Sequence, residues 1–145
     1  MISRWPVLEH HDVTAHDITR DGIITDDALE SWLMHARELY IAQNHVLHGL
    51  LASGNHLEPS LTAPAGACER LGPAEKVAVS AGIAEVLAES FTLSLRIRPA
   101  PADDDIVVNV RAKLRIVSDS GTVVPISAEL RDAMISLEHD ARHYN

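Results

Sequence analysis

Five carboxylates cluster around a single glycine near the amino end of the sequence. The stretch 16-HDITRDGIITDDALESWLMHAR-37 contains Asp17, Asp21, Asp26, Asp27 and Glu30. A carboxylate beside a reactive carbonyl can act as a general base or as a nucleophile. The same residue types are also common in turns and in the first turn of a helix. Both interpretations are open for this stretch, and they differ in whether the carboxylates face a substrate or solvent.

A long amphipathic helix must position these carboxylates. In 25-TDDALESWLMHARELYIAQN-44 the apolar residues fall on one helical stripe, made of Leu29, Trp32, Leu33, Ala36, Leu39 and Tyr40. Thr25 is suited to cap the helix, which leaves Asp26 and Asp27 in a first turn where the helix dipole stabilises negative charge. Free backbone N–H groups at such a helix start can also polarise a carbonyl group.

The rest of the pattern predicts a strand before this helix and antiparallel strands after it. The predicted segments are a strand over 7–18, a short helix over 45–54, a weak strand candidate over 60–71, two strands over 76–99 joined near 85–89, a turn over 99–105, a strand over 106–118, a turn at 119–121, a short segment 122–127 and a terminal helix over 127–144 capped by Ser127. This order, without alternation of parallel strands and helices, indicates one α+β domain over residues 1–145.

Composition limits the classes of function. The formal net charge of −9 argues against a nucleic-acid binder, because neutralising phosphates needs a surplus of Lys and Arg. No apolar run is long enough to span a membrane and the first residues lack a secretory signal, so we expect a cytoplasmic protein without membrane contact. The single cysteine, Cys68, is expected to be a small buried hydrophobic residue in a reducing compartment rather than a reactive thiol.

The spacing of the histidines does not indicate a metal site. His10 and His11 are adjacent and so point to opposite sides of a strand. His45 and His48 are the one helical pair at i, i+3 spacing, and no group of Cys or Glu accompanies them. The sequence therefore predicts neither a metal nor any other cofactor.

Basic residues alternate along two of the predicted strands, on the polar side of each. They are Arg96, Arg98, Arg111, Lys113 and Arg115. If the two strands are neighbours, an otherwise acidic protein carries one basic sheet face. This face is either a solvated surface with cross-strand partners or a surface that holds phosphate groups.

The segment 17-DITRDGII-24 resembles the start of a hotdog-fold thioesterase of the 4-hydroxybenzoyl-CoA thioesterase-like group. In that family an Asp-x-Asp-x-x-Gly motif precedes two apolar residues and a long helix with an Ala-Arg pair, here Ala36-Arg37. The similarity continues through 72-GPAEKVAV-79, 90-SFTLSLRI-97 and 119-DSGTVVPISAELRDAM-134. The resemblance covers nearly the whole chain, and it implies a curved antiparallel sheet wrapped around a long central helix.

The sequence departs from the family where the usual catalytic carboxylate stands, three residues before Gly22. This chain has Thr19 there, and a threonine cannot be a carboxylate nucleophile or base. The histidine found four residues after the glycine in one branch of the family is Asp26 here. Asp17, the preceding acid of the motif, is retained. The candidate catalytic carboxylates are therefore, in order of preference, Asp17, Asp26 and Glu30, while Thr19 could orient a water molecule.

The resemblance also implies a substrate, an acyl-CoA thioester, held in a crevice between subunits of a homodimer or a dimer of dimers. The backbone N–H of Asp26 would polarise the thioester carbonyl, with Gly22, Ile23 and Asp27 also in contact with substrate. The basic sheet face would hold the phosphates of coenzyme A. The alternative function is that of a hotdog protein which binds acyl-CoA or a related thioester and does not hydrolyse it.

Overall fold

The computed structural model describes residues 6–100 and 108–143, and the side chains of all of these except residues 100 and 139–143. In chain order the elements are β1 (Val7–Asp12), a 3-10 turn (Ala15–Asp17), α1 (Asp26–Gln43), α2 (His45–Ala52), β2 (His56–Glu58), α3 (Ala67–Leu71), β3 (Lys76–Val86), β4 (Phe91–Ala100), β5 (Val108–Val117), β6 (Val123–Val124) and α4 (Ala128–His143). The strands form a curved antiparallel sheet in the order β1-β3-β4-β5-β2, and β6 also pairs with β5.

The helix α1 forms where the apolar stripe predicts it. Thr25 caps it, because the Thr25 hydroxyl oxygen accepts a hydrogen bond from the Ala28 N–H at 3.1 Å. The stripe is buried against β1 and β3, and its buried members include Leu29, Trp32 and Leu33. Burying this stripe against the sheet supplies most of the stability of such a helix, since isolated helices are marginal in water.

Alternation along the central strands sorts their side chains onto two faces. On β4 the residues Phe91, Leu93 and Leu95 are buried in the core that includes α1, whereas Arg98 is exposed. On β5 the buried and exposed residues alternate in the same way. The sheet therefore presents an apolar face to α1 and a polar face directed away from it.

A single residue joins α1 to α2. The N–H of Asn44 donates to the backbone oxygens of Tyr40 and Ile41, which ends α1. The Asn44 side-chain oxygen accepts from the Leu47 N–H at 3.1 Å, which begins α2. Asn44 is buried, so both hydrogen-bonding roles are carried out away from solvent.

One predicted strand is too long, one strand candidate is wrong, and one strand was not predicted. The strand predicted over 7–18 ends at Asp12, because Thr14 and Asp17 bond to each other and tighten residues 15–17 into a 3-10 turn. The strand candidate over 60–71 is a loop followed by α3, and β2 pairs only three residues with β5.

The other predicted elements are confirmed, including the Ser127 cap, whose hydroxyl oxygen accepts from the Leu130 N–H at 3.1 Å. Most of the predicted turn over 99–105 lies outside the described residues. Among the residues described, no helix combines the length and apolar character required to cross a membrane.

Candidate functional site

The loop that precedes α1 is a tight turn closed by backbone pairing. Ile18 and Ile24 form a β-bridge, and inside it the Thr19 N–H donates to the Ile23 oxygen at 2.8 Å. The Gly22 N–H donates to the Thr19 oxygen at 3.0 Å. Gly22 has a φ of +79°, a conformation that residues with a Cβ adopt only at a cost. The glycine of the motif is therefore required by the geometry of this turn.

The Thr19 hydroxyl serves the same turn. Its oxygen accepts hydrogen bonds from the N–H groups of Asp21 and Ile23, both at 3.3 Å. Thr19 is exposed and Ile23 is half-buried. The residue at the usual carboxylate position of the family thus stabilises the loop through its own backbone neighbours, as Ser and Thr side chains commonly do in turns.

Asp17 lies directly beside the start of α1. Its backbone oxygen accepts from the N–H of Thr25, the capping residue, at 2.8 Å. Its side-chain oxygen Oδ2 accepts from the Thr14 N–H at 2.8 Å and from the Thr14 hydroxyl at 2.9 Å. The half-buried carboxylate is therefore held in place through one oxygen, and among the described residues nothing donates to the other.

Asp26 and Glu30 project from α1 toward the segment 61–68. Oδ1 of Asp26 accepts a hydrogen bond from the Cys68 thiol at 3.2 Å, and Oε1 of Glu30 accepts from the Ala63 N–H at 3.1 Å. The two carboxylates are four residues apart and so share one side of the helix. Like Asp17, each is fixed through a single oxygen.

Cys68 is buried, as the sequence predicts. Burial raises the pKa of its thiol, and together with the hydrogen bond to Asp26 and the negative charges of Asp26, Glu69 and Glu30 it brings that pKa to about 12. The thiol is therefore protonated at neutral pH, and it acts as a donor to Asp26 rather than as a nucleophile.

The first turn of α1 offers unbonded donors. Thr25 occupies the N–H groups of Ala28 and Leu29 through its side chain and its backbone oxygen. Over residues 6–100 and 108–143, no hydrogen bond involves the N–H of Asp26 or of Asp27. Both Asp side chains are exposed. These two amides carry the partial positive charge of the helix end and can receive a carbonyl oxygen.

The predicted catalytic residues lie together near the start of α1, and the predicted phosphate-binding residues lie apart from them on the sheet. Asp17, Thr19, Gly22, Ile23, Asp26, Asp27 and Glu30 all lie in the loop before α1 or in its first two turns. The basic residues lie on the sheet face directed away from α1. There β4 and β5 are neighbours, with Ser94 opposite Arg111 and Thr92 opposite Lys113.

The basic residues of this face differ in their cross-strand neighbours and in their exposure. Arg115 lies opposite Glu58 of β2, Arg96 is half-buried and lies opposite Asn109, and the remaining basic residues of this face are exposed. The two strands are neighbours, which is the condition for one basic sheet face. The basic face and the start of α1 nevertheless belong to opposite sides of the sheet.

Cys68 and Ala63 contact the carboxylates and were not predicted to belong to the site. They lie 42 and 33 residues away along the chain from Asp26 and Glu30 respectively. No local pattern encodes contacts at such separations. The one available signal was that Cys68 stands in a segment whose strand pattern is broken by Pro64 and Gly66.

No protein-family model matches the sequence, and no curated protein has a significantly similar sequence. Solved structures are similar to it. A 1,4-dihydroxy-2-naphthoyl-CoA thioesterase from Synechocystis superposes with a TM-score of 0.63 at 13% identity, over 91% of this chain and 97% of that one. A Thermus thermophilus thioesterase solved with coenzyme A and Zn superposes with a TM-score of 0.64 at 14% identity, over 95% and 98% of the two chains.

The chain has the hotdog fold. A further hotdog protein, the Dynemicin thioesterase, superposes with a TM-score of 0.62 at 18% identity, over 90% of this chain and 95% of that one. Identities this low establish the hotdog fold alone, because one fold supports many activities. The chemistry must be argued from the residues at the start of α1.

Proposed function

We propose that this protein hydrolyses an acyl-CoA thioester at the start of α1. The observation that carries the proposal concerns the start of α1. The N–H groups of Asp26 and Asp27 have no hydrogen-bond partner among the described residues, and the anchored carboxylates of Asp17, Asp26 and Glu30 lie in the adjoining turn or on the same helix. Hydrolysis of a thioester needs donors for the developing oxyanion and a base or nucleophile for the carbonyl carbon. Similar solved structures are thioesterases, one of them with bound coenzyme A, which supports the same class of substrate.

In the proposed reaction the thioester oxygen lies against the N–H groups of Asp26 and Asp27. A carboxylate removes a proton from water, whose oxygen attacks the carbonyl carbon and forms a tetrahedral oxyanion. The oxyanion collapses, the carbon–sulfur bond breaks, and the thiolate of coenzyme A leaves and takes up a proton. Gly22 and Ile23 shape the turn beside this carbonyl.

Asp17 is the first choice for the base, with Asp26 and Glu30 next. Its Oδ2 is fixed by Thr14, which leaves Oδ1 for a water molecule. A base must be held within hydrogen-bond reach of the proton it removes, and an anchored carboxylate meets that need better than a mobile one. Thr19 would then position the turn, since its hydroxyl oxygen already receives two backbone N–H groups.

The proposed assembly is a cytoplasmic homodimer or a dimer of dimers, with each crevice between two subunits. The exposure of Asp26 and Asp27 supports it, because a second subunit would exclude water from the helix start and strengthen the donors there. Light scattering of the purified chain measures the assembly directly, and a strictly monomeric protein with full activity would contradict it.

The test of hydrolysis is release of free thiol from a panel of aromatic and aliphatic acyl-CoA esters. Turnover should fall at least ~100-fold in Asp17→Asn, the scale expected for loss of a general base. The corresponding changes Asp26→Asn and Glu30→Gln rank the other two carboxylates. Asp21→Asn is the matched control, because Asp21 is exposed in the same loop and accepts no hydrogen bond from the described residues.

A second candidate function is binding of acyl-CoA without hydrolysis. Thr19 favours this function. It stands where the family has its usual carboxylate, and its hydroxyl is used in hydrogen bonds that hold the turn. Calorimetric binding of acyl-CoA with no measurable thiol release across the panel would establish this second function and exclude the first.

A further inference from the structure

Three possible metal ligands meet between the edge strand β1 and the helix α1. Glu9 and His11 are two residues apart on β1, so their side chains point to the same face of the sheet. In the register they lie opposite Val79 and Val77, which are both buried in the core. His35 approaches from α1. One ligand atom from each of the three residues lies within 4.8 Å of the others.

Of the two distances available, one matches the spacing of ligands around an ion and the other is that of a hydrogen bond. Oε1 of Glu9 lies 2.7 Å from Nδ1 of His35 and 3.4 Å from Nε2 of His11. Zinc bound tetrahedrally at ~2.1 Å from each ligand holds its ligand atoms about 3.4 Å apart. Small rotations of the His35 side chain, which is 56% exposed, would bring the three atoms to this spacing.

The His11 ring is held in position by its neighbours, while one of its nitrogens makes no hydrogen bond to the described residues. It stacks on Trp32, with ring centroids 5.8 Å apart and planes at 22°, and it meets His35 edge-on at 5.7 Å. Its Nε2 is buried and makes no hydrogen bond within the described part of the chain, because the 3.4 Å approach to Glu9 is an ion-pair contact without hydrogen-bond geometry. A bound ion is one of the few ways to satisfy a buried nitrogen of this kind.

We propose that Glu9, His11 and His35 bind a divalent transition-metal ion of the zinc type. Two imidazole nitrogens and one carboxylate oxygen suit Zn²⁺, whereas Ca²⁺ and Mg²⁺ require oxygen ligands throughout. Glu9 and His11 are mostly buried, with side chains 16% and 18% exposed. The fourth coordination position opens to solvent beside His35.

The ion would join β1 to α1, away from the start of the helix. His35 stands nine residues after Asp26, which corresponds to about 13 Å along the helix axis. The ion therefore does not reach a carbonyl group held by Asp26. Its effect is to stabilise the native state, because a metal that binds the folded protein raises its stability by mass action. The sequence prediction of no metal considered the histidine pairs and left out Glu9 and His35.

Titration calorimetry of tag-free, chelator-treated protein with Zn²⁺ tests the site. We expect one equivalent per chain, and at least a roughly 100-fold weaker dissociation constant in His35→Ala and in Glu9→Gln, since each removes one of three ligands. His48→Ala is the matched control, because His48 is an exposed histidine on α2 and should leave binding unchanged. The visible spectrum of bound Co²⁺ should be that of a tetrahedral site and should be lost in His35→Ala.

Three outcomes would overturn the proposal. They are equal Zn²⁺ affinity in the native chain and His35→Ala, a loss of binding in His48→Ala alone, and a wild-type dissociation constant weaker than ~1 mM. Circular dichroism of the metal-free His35→Ala variant separates loss of a ligand from loss of folding. Because this exposed side chain lies at the surface, we expect the metal-free spectrum to match that of the native chain.

Discussion

The thiol of Cys68 donates a hydrogen bond to Oδ1 of Asp26 across 3.2 Å, although 42 residues separate the two along the chain. This contact joins the first turn of α1 to the amino end of α3. It also fixes the orientation of a carboxylate that would otherwise be free at a solvent-exposed helix start. Cys68 is the only cysteine in the sequence. Its reactivity therefore provides a measure of whether this contact in the candidate site is formed.

Asp26→Asn should make Cys68 more reactive. Burial, the largest cause of the raised thiol pKa, remains, but the negative charge of Asp26, which also raises it, is removed. The thiolate is the reacting species. We expect alkylation by iodoacetamide at pH 8.5 to become roughly three- to tenfold faster, as measured by mass spectrometry. Glu69→Gln removes a weaker contribution and should have a smaller effect. An unchanged rate in Asp26→Asn would show that the hydrogen bond does not form in solution.

Tyr40→Phe should make the protein less sensitive to alkaline pH. Burial raises the pKa of the Tyr40 phenol above its ordinary 10.0, and the nearby charge of Glu138 acts in the same direction. The folded state thus keeps a proton that the unfolded state releases above pH 10, so stability is full below that pH and falls as pH rises. In that range each pH unit costs up to about 1.4 kcal/mol.

The same substitution should not weaken the protein at neutral pH. The Tyr40 hydroxyl lies near the Asn44 amide, but the geometry between them is not that of a hydrogen bond and the hydroxyl is buried without a partner in the described chain. Removing an unsatisfied buried group is neutral or stabilising. Urea unfolding at pH 7.5 and pH 10.5 measures both effects, and a loss above ~1 kcal/mol at pH 7.5 would indicate a bound partner for the hydroxyl.

Gly22→Ala and Gly49→Ala should change stability in opposite directions. An added Cβ meets nothing within 4 Å at either position, so backbone conformation decides the sign. Gly22 has a φ of +79°, and alanine there should cost about 1–2 kcal/mol. Gly49 lies inside α2, where alanine should gain about 1 kcal/mol. Thermal unfolding of the two variants beside the native chain gives the comparison, and a stabilised Gly22→Ala would refute the turn geometry.

Arg111→Ala combined with Lys113→Ala tests whether the basic sheet face holds coenzyme A. If it binds the phosphates, KM for acyl-CoA should rise about tenfold, as expected for lost charge-assisted contacts, while kcat stays within about twofold. A thioester of N-acetylcysteamine, which has no phosphates, should be turned over equally by both proteins. Arg131→Ala changes an exposed charge on α4 and serves as the control. An unchanged KM for acyl-CoA would identify the face as a solvated surface.

The parts of the fold that local chemistry determines were predictable. The apolar stripe around Trp32 and the capping hydroxyl of Thr25 define α1, because helix periodicity and capping are read from neighbouring residues. Alternation of apolar and basic residues gave β4 and β5 in the same way. The sequence left open whether these two strands are neighbours, and the register shows that they pair.

The errors occur where pairing over long distances decides the structure. Three residues, His56–Glu58, form a strand because β5 offers them a partner, and so short a segment shows no periodicity. The chain ends β1 at Asp12 because Thr14 and Asp17 satisfy each other locally, which competes with continued pairing to β3. The carboxylates of the site were recognised by type, but their partners Cys68 and Ala63 could not be found without the folded chain.

The corner at Asn44 has a consequence for how the protein can vary in length. One residue ends α1 through its N–H and starts α2 through its side-chain oxygen, so the two helices share a joint with no spare residue. An insertion there would divide these two roles between different residues and displace one helix relative to the other. The turn at 119–121 is exposed, and its hydrogen bonds are made within residues 118–122 rather than between two helices. Tags, loops or reporter peptides should therefore be accepted at that turn and rejected at the helical corner.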